Sequence, residues 1–581
     1  MEVSTLKKLI QVAKGQCEAD LVIKNANIIN IFTKEIINAD IAIHSGYIAA
    51  IGSFSSQNEI DVKDSLVCPG LIDAHMHFES SMALPLEFAK AVLPHGTTTV
   101  IADPHEIANT SGIRGIEFML NLSENIPLNV FFMMPSCVPS TDFETNGFNL
   151  DVNEMKKLFS KKRIIGLGEV MSSQDILNED ENILEKIELY SDRMLDGHSP
   201  ALSGKDLNAY CACGISTDHE CYLEEEVIEK MRLGMHILIR EGSAAKNVDT
   251  LIKTILKHNL PTNRCCFCTD DKHLNEIKDE GHIIHNIRKA VKLGLDPIEA
   301  IAMATIYPAS VYGLKRIGAI APGYKADLVF ISDLKDFKVT KTIKDGKIIS
   351  EDDKLYLENF ENSKINIPME LLNTVKIKDI SKNDLKINIK TNFANVINIS
   401  PGELITQLTQ DAVPTHEGEF VPNGKYLKIA VIERYGKNGN IGLGILSGIN
   451  LKSCAIASTV AHDSHNLIVL GDNDEDMLIA IRELKDHGGG LALVRNGESF
   501  ILPLEISGIL TSAKDEEIQN TLNILDKRLR DIGIDKDINP FMLLSFLAIP
   551  VIPFVKITDK GVFNVLTQEF IGCDIENPPI S

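Results

Sequence analysis

The chain is short of several things that would direct it to a particular environment. It has no run of eighteen apolar residues, so no membrane span is expected. Met1 to Lys14 hold no apolar signal-peptide core. Positive charge is scarce: 58 Lys and Arg stand against 81 Asp and Glu, a net charge of -23. So acidic a chain makes poor contact with phosphate backbones, which argues against a nucleic-acid partner. The 11 cysteines are odd in number and lack framework spacing, which fits a reduced cytoplasm rather than a secreted scaffold. There is no internal repeat and no low-complexity tract. A mean hydropathy of +0.02 with 38 Gly and 22 Pro excludes a disordered or collagen-like chain. Tryptophan is absent, and nothing follows from that.

What is present is length and pattern. At roughly 150 residues per domain, 581 residues make about four domains, or about three if one is a large barrel. Residues 1–69 read as half of a small β-domain, with β-rich runs at Leu21-Val22-Ile23 and Ile41-Ala42-Ile43 and a turn at Ser45-Gly46. From Gly70 the pattern changes to strand-like runs alternating with helical stretches. Eight such runs are Leu71–His77, Thr97–Asp103, Val130–Pro135, Ile164–Glu169, Met194–His198, Gly214–His219, His236–Glu241 and Arg264–Asp270. Eight βα units over 70–314 match the ~250-residue (β/α)₈ barrel, an α/β fold. Residues 315–357, with Ala326–Ile331, are expected to rejoin the N-terminal strands as a composite β-domain. The polar stretch 358–386 reads as a linker. Residues 387–581 read as a C-terminal α+β domain, with strands at Leu427–Ile432 and Ser453–Ser458 and helices at Glu475–His487 and Lys514–Asp531.

Catalytic groups in such barrels sit at the C-terminal strand ends. Here those ends carry His75-Met76-His77, Asp103-Pro104-His105-Glu106, Glu169, His198, Asp218-His219-Glu220 and Asp270-Asp271. His75 and His77 are two apart on a strand, so both face one side and can chelate one cation. A lone histidine is usually a hydrogen-bonded core or surface residue. His-x-His at one strand end, with more donors at later ends, points instead to a metal site.

Pro69-Gly70-Leu71-Ile72-Asp73-Ala74-His75-Met76-His77 resembles the first-strand signature of the amidohydrolase superfamily, and Gly318-Ala319-Ile320 with Ala326-Asp327-Leu328-Val329 resembles its closing segment. Glu79-Ser80-Ser81-Met82, Ala102–Asn109, Asp196–Pro200, Gly214–Glu220 and Ala461–Asn466 are similar to the adenine deaminases of bacterial type, and the likeness covers nearly the whole chain. That resemblance implies a metal centre of His75, His77, Glu169, His198, His219 and Asp270. Glu169 stands where two-metal amidohydrolases commonly carry a carboxylated lysine, and whether one or two ions bind stays open. It implies a divalent metal, Mn or Fe(II), a small purine base as partner, and a homo-oligomer. One departure is Tyr435, where the family pattern leads us to expect His.

The implied reaction is hydrolytic deamination of adenine to hypoxanthine and ammonia. A divalent ion lowers the pKa of bound water toward about 7. Asp270 is placed to accept the water's proton, and Glu220 is the candidate for proton transfer to the ring nitrogen, provided its pKa is raised. Arg240 and Glu241 are candidates for the base edge or for a structural ion pair. His105 and Glu106 either line the pocket or cap the following helix. His462 and His465 either contact metal or substrate or are structural. The Cys211/Cys213 and Cys265/Cys266/Cys268 groups read as buried thiols, and the His-x-Glu with Pro-Cys-x-x-Cys signature of the other deaminase architecture is absent. Asp472, Asp474 and Asp476 read as helix N-terminal charge rather than a calcium loop, since Met477 takes the position that needs Gly. Two rivals remain: another amidohydrolase acting on a cyclic amide or N-acyl substrate, and a non-catalytic barrel scaffold.

Overall fold

The computed structural model describes residues 1–63, 65–243, 245–356, 365–399, 406–535, 538–551 and 554–575. Eight parallel strands form its centre: Leu71–Met76, Thr97–Ala102, Asn129–Met134, Ile164–Val170, Met194–Gly197, Thr217–Asp218, His236–Arg240 and Cys265–Cys268. Thr97–Ala102 and Cys265–Cys268 are buried at every position, as strands covered on both faces must be.

The ladder runs as five strands and then three, and two short junctions make the ring. Between strands five and six, the Ser216 N–H donates to the Leu195 carbonyl at 3.2 Å. Between strands eight and one, the Asp270 N–H donates to the His75 carbonyl at 3.0 Å. Asp73 reinforces this seam by accepting the Thr269 N–H at 3.0 Å. Closure of the barrel therefore brings Asp270 against the first-strand histidines.

Strands Leu21–Asn30, Glu35–His44, Tyr47–Gly52 and Leu66–Pro69 share one sheet with Leu328–Ile331, Val339–Lys344 and Lys347–Glu351. The join is antiparallel, Leu328 opposite Pro69 and Ile331 opposite Leu66. The third region is built on an eight-stranded sheet with Leu427–Ile432 and Leu467–Gly471 near its middle. Helix Asp474–Asp486 packs on it, capped by Asn473, whose side chain accepts the Asp476 N–H. Asp476 in turn accepts the Asn496 and Gly497 N–H groups at 3.1 and 2.8 Å. The acidic run is thus spent on capping and a turn.

The expected linker at 358–386 needs correction. Residues 358–364 lie outside the described residues. The remainder is docked: Leu371 and Leu385 are fully buried, the Ser507 N–H donates to the Leu371 carbonyl, and the Lys376 N–H donates to the Arg434 carbonyl, both at 2.6 Å. Some of its sparse apolar residues are spent on anchoring it, Leu371 and Leu385 most completely, which composition alone does not show.

The third region also grips the barrel. Asp559 accepts the Thr145 N–H at 2.8 Å, Asn466 Nδ2 donates to the Thr145 carbonyl at 2.7 Å, and the Thr511 N–H donates to the Met82 carbonyl at 3.0 Å. The loop after strand three is thus held at Thr145, and the segment after strand one at Met82.

Beneath the strand ends lies a buried ion pair. Lys230 Nζ is 3.0 Å from Asp218 Oδ2, with both side chains at 0% exposure, and it also donates to the Ser199 carbonyl at 2.7 Å. Asp218 Oδ1 accepts the Ser199 N–H at 2.8 Å. The pair fixes the ends of strands five and six. Burial would raise the Asp218 carboxyl, but Lys230 and His219 outweigh it and hold it below the usual carboxylate range. A group depressed in the folded state adds stability that is present above its unfolded value of about 3.9 and is lost as pH falls through the folded value. Lys230→Met strands a buried carboxylate and should cost about 3–5 kcal/mol at neutral pH. In urea unfolding the gap from wild type should narrow as pH falls from neutrality, because without Lys230 burial raises the Asp218 carboxyl and it protonates in the folded variant before it does in wild type. A gap independent of pH would show that the pair is not the cause.

Candidate metal centre

Strand geometry places five of the six expected ligands around the sixth, the carboxylate of Glu169. Glu169 Oε1 lies 3.4 Å from His75 Nε2 and 3.4 Å from His77 Nε2. Glu169 Oε2 lies 3.0 Å from His198 Nδ1 and 3.3 Å from His219 Nε2. Asp270 Oδ1 joins the first group, 3.1 Å from His77 Nε2 and 3.7 Å from His75 Nε2. One carboxylate thus divides its oxygens between two histidine pairs. Two donor sets, His75/His77/Glu169 and Glu169/His198/His219, each have ligand atoms within 4.8 Å of one another. Asp270 sits at a positive φ of 60°, a conformation that Asp tolerates better than most residues.

The donor set fits divalent cations. His77 Nδ1 is 2.9 Å from the Asp103 carbonyl oxygen. A carbonyl only accepts, so Nδ1 carries the proton and Nε2 turns a lone pair to the cluster. His75 Nε2 is buried with no hydrogen-bond partner, and His198 Nδ1 faces His219 Nε2 at 3.3 Å. Lone pairs converging in a dry place call for a cation between them. Protons and a cation compete for these lone pairs: burial would lower the imidazoles, but Asp196 and Glu169 around His75, and Asp270 and Glu169 around His77, hold both well above the ordinary histidine range, so the site as a whole draws positive charge. Burial would raise the carboxyls, but His219 and His198 hold Glu169, and His77 and Arg240 hold Asp270, well below theirs.

Beside this cluster Arg240 binds Glu220 through both guanidinium nitrogens, Nη2 to Oε2 at 2.8 Å, and reaches Asp270 Oδ2 at 2.9 Å. This corrects the expectation for Glu220. Burial would raise its carboxyl, but Arg240 and His198 keep it below the usual range. It clamps Arg240, and a lowered carboxyl is not the raised one that a proton-donating role requires. Glu241 is also corrected: it points away, 2.7 Å from Lys289 Nζ and accepting the Val248 N–H at 3.3 Å. The alternation of a strand explains this, because neighbours face opposite sides.

A cavity of about 340 Å³ opens over the cluster. Arg240, Glu220, His105 and Glu106 line it, and His105 and Glu106 also begin the helix His105–Leu122. His462 lines it too, its Nδ1 2.9 Å from Glu106 Oε1. His465 is fully buried behind, its Nδ1 accepting the Ala461 N–H at 3.2 Å. Asp463, Phe546 and Ile549 of the third region also line it. Sequence reasoning missed these three, since Phe546 and Ile549 sit in an apolar run that reads as core. Tyr435 is not among the lining residues; its hydroxyl donates to the Ser464 carbonyl and so supports the loop behind His462. All 11 cysteines are free thiols.

Barrel, bridging carboxylate and histidine pairs define a metal-dependent amidohydrolase. The Amidohydrolase family model matches residues 66–349, and the model for the adenine deaminase C-terminal domain matches 403–569. The chain is 45% identical to an adenine deaminase of Clostridium acetobutylicum over 97% of its length and 100% of that protein. It is 44% identical to an adenine deaminase of Geobacillus kaustophilus over 98% of its length and 99% of that protein. A solved adenine deaminase is 19% identical, covering 57% of this chain and 99% of that one at a TM-score of 0.44. The chain belongs to the adenine deaminase family.

Ions bound only by the folded chain stabilise it by about 2.7 kcal/mol at a hundredfold excess over Kd. Protein stripped with a chelator should therefore melt below protein reloaded with Mn or Fe(II). Glu169→Ala should shrink that difference for both ions, because both donor sets share Glu169. An undiminished difference in the variant would place the cations elsewhere.

Proposed function

We propose that the protein catalyses hydrolytic deamination of adenine to hypoxanthine and ammonia, with Mn or Fe(II) as its divalent metal. The observation that carries this reading is Glu169, divided between two histidine pairs beneath a cavity of about 340 Å³, in a chain of the adenine deaminase family. His75, His77 and Asp270 would hold one ion, His198 and His219 the other, and Glu169 both. Such ions supply a nucleophile at neutral pH by lowering the pKa of water toward about 7.

The chain's own groups do the rest. Asp270 Oδ2 is fixed by Arg240 at 2.9 Å, which aims Oδ1 at the cluster. As the C6–O bond forms, Oδ1 accepts one proton of the attacking water and passes it to ring N1; it then accepts the proton of the new hydroxyl and passes it to the exocyclic amine, so that the C6–N6 bond breaks, the amine leaves as ammonia and hypoxanthine keeps the N1 proton. Glu220 holds Arg240 in place, and the third region's apolar wall excludes bulk water, which strengthens these interactions. The substrate is a small uncharged base, so the net negative charge of the chain is no obstacle. The eleven free thiols support a reducing, cytoplasmic setting, and a homo-oligomer is part of the same reading.

Metal-loaded protein should consume adenine, seen as loss of its absorbance, and release ammonia. Dihydropyrimidines and N-acyl amino acids should react far more slowly. Asp270→Asn should lower kcat by about 10²–10⁴, the range for a lost general base. Preference for a cyclic amide over adenine would sink the proposal.

A further inference from the structure

His462 reaches the cavity from the third region and sits on the flank of the donor cluster. Its Nδ1 lies 2.9 Å from Glu106 Oε1. Glu106 is fully buried, and a carboxylate oxygen of it lies within 4.8 Å of ring nitrogens of His77 and His105. One ion pair thus separates His462 from a ligand of the first cation. Burial would raise the Glu106 carboxyl, but His462 and then His465 hold it below the usual carboxylate range. Burial would lower His462, but Glu106, Asp271 and Asp463 hold it up, at about 9. The ring is therefore an imidazolium at neutral pH, with an N–H on each nitrogen. Nδ1–H faces Glu106. Nε2 is neither hydrogen-bonded to a described residue nor sealed from the cavity that the ring lines.

A third cation held by Glu106, His462 and His465 is the competing use of these residues, since their ligand atoms lie within 4.8 Å of one another. The tautomer argues against it. His465 Nδ1 accepts the Ala461 N–H, so in the neutral ring Nε2 carries the proton and has no lone pair to give. A free N–H in the cavity has a different use. Adenine offers N1, N3 and N7 as acceptors, and Arg240, the strongest donor at the mouth, is spent on Glu220 and Asp270. As a nucleophile adds at C6, electron density moves onto the ring nitrogens. A donor already fixed beside one of them is worth more at that moment than in the ground state. N1 takes its proton by way of Asp270, which leaves N3 and N7.

We propose that His462 is a catalytic residue supplied by the third region: its Nε2–H donates to N3 or N7 of the purine and draws electron density from the ring as C6 is attacked, while its Nδ1–H stays on Glu106. The proton remains on His462 throughout, so the proton count of the reaction is unchanged. This rests on the deaminase reading. It gives the third region a part in the chemistry, through a side chain that the barrel itself holds by Glu106.

The test compares metal-loaded wild type, His462→Ala and His462→Asn, with metal content measured for each. The substrates are adenine, 3-deazaadenine and 7-deazaadenine, read as kcat/KM, or as an inhibition constant where an analogue is not turned over. His462→Ala should keep its metal and lose about 10- to 100-fold in kcat/KM for adenine, the range for a hydrogen bond from a charged donor. His462→Asn should lose as much, because its shorter amide can face Glu106 but has no group where Nε2–H was; it also carries the comparison if His462→Ala fails to fold. One deaza analogue lacks the accepting nitrogen, so wild type and variants should handle it equally, and this identifies the nitrogen; the other should follow adenine. Full activity in both variants, a fall in metal content that accounts for the lost activity, or the same loss for adenine and both analogues would overturn the assignment while leaving the deaminase reading intact. No turnover of adenine by wild type would overturn that reading, and this one with it.

Discussion

Everything at the barrel mouth depends on one constraint: Glu169 is buried and ionised, and it must be shared. Its two oxygens face four imidazole nitrogens at 3.0–3.4 Å. Burying that carboxylate is costly unless positive charge surrounds it, and the surrounding imidazoles offer lone pairs rather than fixed charge. Divalent cations satisfy both sides at once. The fold is arranged to hold this convergence. The barrel closes through the Asp270 N–H on the His75 carbonyl, and the Lys230–Asp218 pair fixes the strand ends that carry His198 and His219.

The next layer settles roles. Asp103 turns His77 by accepting its Nδ1 proton at the backbone carbonyl. Arg240 spans Glu220 and Asp270, so one guanidinium both links a pair of carboxylates and aims the one that handles protons. Glu220 therefore acts through Arg240. The third region completes the chamber rather than decorating it, since His462, Asp463, Phe546, Ile549 and Val551 line it together with the donors.

Much of this was legible in the residues. The alternation of strand-like and helical runs after Gly70 marks the barrel, and the donors at its strand ends mark the cluster, because both follow from local periodicity and from residue type. Glu241 was not legible, since a one-residue step along a strand decides which face it takes, and it went to Lys289. The clamp of Glu220 on Arg240 was not legible because Arg240 lies twenty residues on, a distance that only folding closes. Asp463 and Phe546 were invisible as site residues for the same reason: their position depends on how the third region docks on the loop after strand three. The segment after residue 364 looked like a linker because few of its residues are apolar, yet Leu371 and Leu385 are fully buried.

The central claim is that Glu169 is shared by two cations. Crystals of protein loaded with Mn, measured at the Mn absorption edge, test it most directly. The account predicts two anomalous peaks per chain, one between Glu169 Oε1 and the His75/His77 pair and one between Glu169 Oε2 and the His198/His219 pair. A single peak on one side of Glu169, with the other histidine pair bound only to protein or water, would contradict it.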